Sequence, residues 1–197
     1  MNRSLFVAAF LLGATAVIWM GSTFVGSDKL ALTVIVVIGC VYTLGFAELL
    51  QFRRATTTLA QALSNTVATP GEKITDLERW LQRVHPSLRN AVRLRIEGER
   101  IGLPAPVITP YLVGLLVMLG LLGTFVGMVD TLKGAVFALE GTTELQAIRA
   151  GLAAPINGLS LAFGTSVAGV AASAMLGLIA TLSRRDRILA TRQLDSK

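Results

Sequence analysis

Two threonines, Thr124 and Thr165, lie inside long stretches made otherwise of apolar and small residues. A hydroxyl both donates and accepts a hydrogen bond. In apolar surroundings it can bridge helices, hold a water, or offer an oxygen to a passing cation. Small residues accompany both threonines at helical spacing. In LLVMLGLLGTFVGMVD (115–130), Gly120, Thr124, Gly127 and, just beyond, Thr131 recur at intervals of four, three and four, which is one helical face. In PINGLSLAFGTSVAGVAASAMLGLIATLS (155–183), Gly158, Ala162, Thr165, Gly169, Ala172 and Ser173 share one side, while Gly164, Ala168 and Ala171 line a neighbouring one. Small residues let helix backbones approach closely where lipid supplies no hydrophobic drive. Packing therefore accounts for Gly120, Gly123, Gly127, Gly158 and Gly169, and small residues on two sides predict that the last stretch touches several helices. Packing alone does not call for two hydroxyls in mid-run.

No charge shares these stretches. Asp, Glu, Lys, Arg and His are all missing between Val107 and Val129 and between Pro155 and Ser183. An ion moving along them would need a titratable group from another polypeptide. Asp130, just past the first stretch, reads either as an outer-mouth acid that attracts cations or as a simple helix-end acid. Glu48 is a shallow intramembrane acid, a functional candidate by default and equally an interfacial anchor that meets an arginine such as Arg53. No catalytic residues are expected: no nucleophile–base pair appears, and GLLGTFVG lacks the Gly-Lys-Ser/Thr ending of a phosphate-binding loop. No metal site is expected either, because the single histidine, His85, has no further ligands clustered with it. The single cysteine, Cys40, has no partner for an intrachain disulfide.

The elements that must position these residues follow from composition. Of 197 residues 53% are apolar and 15% charged, too hydrophobic a balance for an ordinary soluble domain. Four stretches reach the ~20 apolar residues that cross a bilayer: Ser4–Val25, Leu30–Phe52, Val107–Val129 and Pro155–Ser183. Backbone in lipid must satisfy its own hydrogen bonds, and strand-like alternation is absent, so all four are predicted helices. The expected fold is an all-α integral membrane protein: two spans in 1–52, a helical loop in 53–106, two spans in 107–183 and a short tail in 184–197. The first stretch is long for a signal peptide and is followed almost at once by a second span, so it is read as retained.

Charge sets the orientation. With four spans, fifteen of the eighteen Lys and Arg fall on one side, and only Lys29, Lys133 and Arg149 on the other. The positive-inside rule then places both termini and the 53–106 loop in the cytoplasm. The net charge of +6 reflects this orientation, and with Glu72, Asp76, Glu78, Glu97 and Glu99 also in the loop, no nucleic-acid partner is expected. Within the loop, Thr75 and Glu78 form a capping-box pattern. Leu77, Trp80, Leu81, Val84, Leu88, Val92 and Ile96 follow near helical spacing, with a break expected at Pro86. Residues 75–100 read either as an extension of the bundle with arginines near lipid headgroups or as a docking face for a cytoplasmic partner.

LGLLGTFVGM (119–128) resembles the signature of the MotA/TolQ/ExbB proton-channel family, and LSLAFGTSVAGVAA (159–172) resembles that family's last span. The resemblance covers about Pro104 to Ser183. The span count and both termini inside are similar to the flagellar stator MotA. The resemblance implies a homopentameric ring in the bacterial inner membrane, around a dimer of a single-span MotB/TolR/ExbD-like partner whose span carries an aspartate. It implies no enzymatic activity and no cofactor. Transported H⁺ or Na⁺ drives mechanical work in such rings. Thr124 and Thr165 correspond to pore-facing threonines, with Ser160 and Asn157 beside them in the candidate ion path. The glycines would let five copies crowd around the partner's helices. One departure is Ser160, which stands where TolQ and ExbB carry a glutamate, and this brings the chain nearer to MotA.

Overall fold

A computed structural model describes residues 3–26, 29–67, 80–99, 102–140 and 145–195. Among the described residues there are five α-helices and no strand: α1 (Arg3–Phe24), α2 (Lys29–Val67), α3 (Pro86–Ile96), α4 (Thr109–Glu140) and α5 (Leu145–Asp195). Four of them contain segments long and apolar enough to cross a membrane: Ser4–Phe24, Lys29–Ser64, Thr109–Val136 and Gly158–Gln193. The chain is an all-helical, multi-pass membrane protein.

Threonine hydroxyls in these helices bond back to their own turn. Thr15 donates to the Leu11 carbonyl at 2.7 Å, Thr33 to Lys29 at 2.8 Å, and Thr131 to Gly127 at 2.7 Å. A side-chain O–H that finds a carbonyl one turn back needs no water, which makes it tolerable in lipid.

Helix α5 is the centre of the bundle and packs on α1, α2 and α4. The membrane core runs through Phe6, Ile35, Ile38, Tyr42, Leu49, Leu116, Leu176 and Ile179. On the α1–α2 side, Phe10 stacks on Phe46 and on Tyr42, whose hydroxyl donates to the Phe10 carbonyl at 3.1 Å. A Cβ at Gly13 would collide with that tyrosine ring.

The helices run further than the apolar stretches. Beyond Phe52, α2 continues to Val67 because Ala55, Leu59, Ala62 and Leu63 keep helical spacing and bury against Trp80, Val84, Leu88 and Val92, with Ala190 of α5. A second, smaller core thus forms beyond the apolar stretches that end at Phe52 and Ser183. The segment 53–106 opens as a direct continuation of helix α2, and the 184–197 tail is helical as far as Asp195. Helix α5 also starts ten residues before Pro155 and passes through it.

The chain does break before Pro86. Trp80 and Leu81 are helical, residues 82–84 turn, and α3 starts at Pro86. His85 caps α3, its Nδ1 accepting from the Ser87 amide, while its own amide donates to Thr58 Oγ1 at 3.2 Å and ties the turn to α2. Gly98, at φ 96°, ends α3 in the left-handed conformation that glycine adopts without strain. The Thr75/Glu78 capping pattern lies outside the described residues.

Candidate functional site between helices α4 and α5

Among the described residues, helices α4 and α5 make the most extensive helix pair, and their glycines set its closeness. A Cβ added at Gly120 would lie 3.3 Å from Gly169 Cα. One at Gly169 would lie 2.7 Å from the Leu116 carbonyl, one at Gly127 2.6 Å from the Gly158 carbonyl, and one at Gly158 2.8 Å from the Gly127 carbonyl. Gly123 faces the Thr165 side chain. Numbers rise along α4 as they fall along α5, so the two run antiparallel with backbones in contact. The small-residue face of α4 is thus occupied within the chain. The neighbouring small face of α5 meets α1, where Gly164 lies against Phe24 and Met20.

The two threonines meet in this seam. Thr165 is wholly buried, and its Oγ1 donates to the Leu161 carbonyl at 2.9 Å. Thr124 is half-buried and donates to the Gly120 carbonyl at 3.1 Å. Both hydroxyls also approach one acceptor on α5, the Ala162 carbonyl, at 3.4 Å from Thr124 and 3.3 Å from Thr165. Of the two, only Thr124 keeps accessible surface in a single chain. Ser173 adds a third polar contact, donating across the seam to the Val113 carbonyl at 2.9 Å.

The other candidates lie apart from this pair. Ser160 is exposed on α5, and the Asn157 side chain lies outside the described ones. Asp130 is exposed and does not end a helix: α4 runs a further ten residues to Glu140, so the helix-end explanation fails. Among the described residues no group of three or more His, Cys, Asp or Glu is placed to hold a metal ion.

Two further polar residues organise the site from its edge. Glu48 on α2 does not turn to Arg53. Its Oε1 accepts the amides of Val107 and Ile108, both at 3.1 Å, and its Oε2 accepts the Thr109 hydroxyl at 2.5 Å. It thereby caps the start of α4, where Ile108 has no side-chain acceptor and the first turn holds no acid. Arg53 instead lies over the Phe6 ring, 4.5 Å from its centroid.

Arg187 on α5 is buried and has three backbone or hydroxyl partners. It donates to Thr56 Oγ1 and to the Phe52 carbonyl, each at 3.0 Å, and to the Pro104 carbonyl, with its guanidinium 3.7 Å over the Phe52 ring. Glu48, Phe52 and Thr56 are four residues apart on one face of α2. Together with Arg187 they grip residues 104–109 and fix how α4 enters the bundle. The sequence signal for Glu48 is the uncapped start VITPY. Arg187 carries no comparable signal, since it reads as one more tail charge.

No family model, curated protein or solved structure matches the chain.

Proposed function

We propose that the chain is the channel-forming subunit of an ion-driven membrane motor, acting with a single-span partner that supplies an aspartate. The observation that carries this is the seam itself. Two hydroxyls converge on one carbonyl, between two backbone-to-backbone helices that carry no Asp, Glu, Lys, Arg or His over 107–129 and 155–183. The likeness of 119–128 and 159–172 to MotA/TolQ/ExbB spans supports the same reading. On it, Thr124 offers the surface hydroxyl to the ion or to the partner's carboxylate, and Thr165 holds the helix pair in register behind it. The moving ion is H⁺ or Na⁺. Moving one charge down 100 mV releases about 2.3 kcal/mol, enough to do mechanical work if several charges move per step. On this reading both termini lie in the cytoplasm, which the positive-inside bias supports, and the likeness to MotA/TolQ/ExbB spans supports a ring in a bacterial inner membrane.

Native mass spectrometry and cryo-electron microscopy of the chain in mild detergents test the assembly. A homopentamer is expected, and a stable monomer or dimer in several such detergents would refute it.

One observation favours a second reading, a structural four-helix scaffold with no ion path. Thr165 has no accessible surface in the single chain, and its hydroxyl is satisfied one turn back, so it serves packing adequately. Replacing the two hydroxyls, as set out in the Discussion, separates the readings.

A further inference from the structure

At the basic end of the bundle, a cavity of about 440 Å³ opens between α5, α2, α3 and the segment leading into α4. Four of its ten lining residues are arginines: Arg95, Arg184, Arg187 and Arg192. None of the ten is acidic. The remaining wall includes Phe52, Leu103, Ala105 and Ile188. Arg187 is committed inward to Thr56, Phe52 and Pro104 and forms the floor, whereas Arg184 and Arg192 are exposed on the same face of α5.

The level of this cavity is set by the helices. The first charges after the second apolar stretch are Arg53 and Arg54, and those after the last are Arg184 and Arg185. Arg187 donates directly to the Phe52 carbonyl, so the two helices leave the apolar layer at the same height. Just above, Val107 and Ile108 are 83% and 56% exposed, as residues facing acyl chains would be. Cationic forks beside an apolar wall at headgroup height match one chemistry, a phosphodiester with an aliphatic body attached. Guanidinium groups bind phosphate oxygens in pairs, and basic pockets between spanning helices attract anionic headgroups.

We propose that this cavity is a phosphate-binding site that takes the headgroup of an anionic phospholipid, with Arg184 and Arg192 contacting the phosphate and Ile188 and Leu103 bordering its glycerol. The site does not depend on the motor reading.

The test uses the full chain in a neutral detergent, supplied in turn with phosphatidylglycerol, phosphatidylcholine and inorganic phosphate. Native mass spectrometry reads the retained lipid, and thermal unfolding reads protection. Phosphatidylglycerol is expected to be retained and to raise the melting temperature, and phosphatidylcholine to do neither. The double variant Arg184→Gln/Arg192→Gln leaves Arg187 in place and should lower phosphatidylglycerol retention about tenfold or more. Arg54→Gln/Arg83→Gln, at exposed arginines outside the cavity, should leave it unchanged. Equal retention of the two lipids, or equal losses in both double variants, would overturn the site. Protection by inorganic phosphate as strong as that by phosphatidylglycerol would overturn the lipid assignment and leave a free-phosphate site.

Discussion

Glu48 and Thr109, sixty-one residues apart, share a 2.5 Å hydrogen bond that starts helix α4. The same carboxylate takes the amides of Val107 and Ile108, so one acidic group on α2 satisfies three donors at the mouth of another helix. Hydrogen bonds to a charged acceptor contribute about 1.5–3 kcal/mol each, and a buried donor left bare costs about 1–3 kcal/mol. Glu48→Ala should therefore lower stability by about 2–4 kcal/mol, read as a fall in melting temperature in detergent. Glu48→Gln keeps one acceptor oxygen and should lose less. If both variants melt with the parent protein, the cap contributes nothing.

Arg187 is the second clasp, and its geometry is that of a fork. Lysine keeps the charge but cannot reach Thr56, Phe52 and Pro104 together. Arg187→Lys should cost about 1–3 kcal/mol, since carbonyls around a buried charge lose their donors. Limited proteolysis should then cut first between residues 99 and 106. Parent-like protease resistance in the lysine variant would show that charge alone suffices.

The glycine seam separates close approach from helix propensity. Gly127→Ala would set a methyl group against the Gly158 carbonyl and the Ala162 backbone, so α4 and α5 must part. Overpacking of this kind costs about 1–3 kcal/mol. At Gly114 on the same helix an added Cβ meets nothing within 4 Å. Gly114→Ala should be neutral or stabilising by up to about 1 kcal/mol. Melting both variants side by side checks the contrast, and equal behaviour would mean that the seam is looser than its distances imply.

Thr124→Val and Thr165→Val remove the hydroxyl and keep the branched shape. Each loses a bond to a carbonyl of its own helix, so each should fold and assemble with a loss of about 0.5–1.5 kcal/mol. Ion-driven work, or proton or sodium uptake with the single-span partner co-expressed, should nevertheless fall sharply, and most for Thr124, whose hydroxyl has surface. Wild-type rates in both assembled variants would discard the ion path and leave the scaffold.

Orientation is checked with Gln82→Cys in a chain whose Cys40 is replaced. Gln82 is exposed in the turn before α3. An impermeant thiol reagent should label it only after cells are opened. Labelling in intact cells would reverse the topology.

The parts legible in the sequence are those whose cause is local. Four spans announce themselves because crossing lipid takes some twenty apolar residues in succession. The small faces of α4 and α5 are visible because helical periodicity places Gly120, Thr124 and Gly127 together on any helix. What those faces touch is not local. The same stripe serves an intrachain seam or a contact between copies, and only the antiparallel pairing of Gly127 with Gly158 decides for this chain. The partners of Glu48 lie about sixty residues on, and Arg187 reaches back 131 residues to Thr56. Composition sees both as ordinary charges near a membrane edge. The length of α2 escaped for a related reason, because Leu59 and Leu63 are stabilised by Trp80 and Leu88, which no window around residue 60 contains.

Helix α5 has 51 residues, and at 1.5 Å per residue it extends roughly 75 Å, against about 30 Å of hydrocarbon. More than half of this rod therefore projects beyond the oily layer. At the basic end no loop or other break in the helix separates the seam residues from Arg184 to Arg192, so the two move as one beam. A tilt of α5 at the height of Thr165 must sweep its far end sideways, where Ala190 is wedged into the outer core of α2 and α3. Whatever is fastened to that core would feel a displacement begun inside the bilayer, with the lipid surface acting as fulcrum.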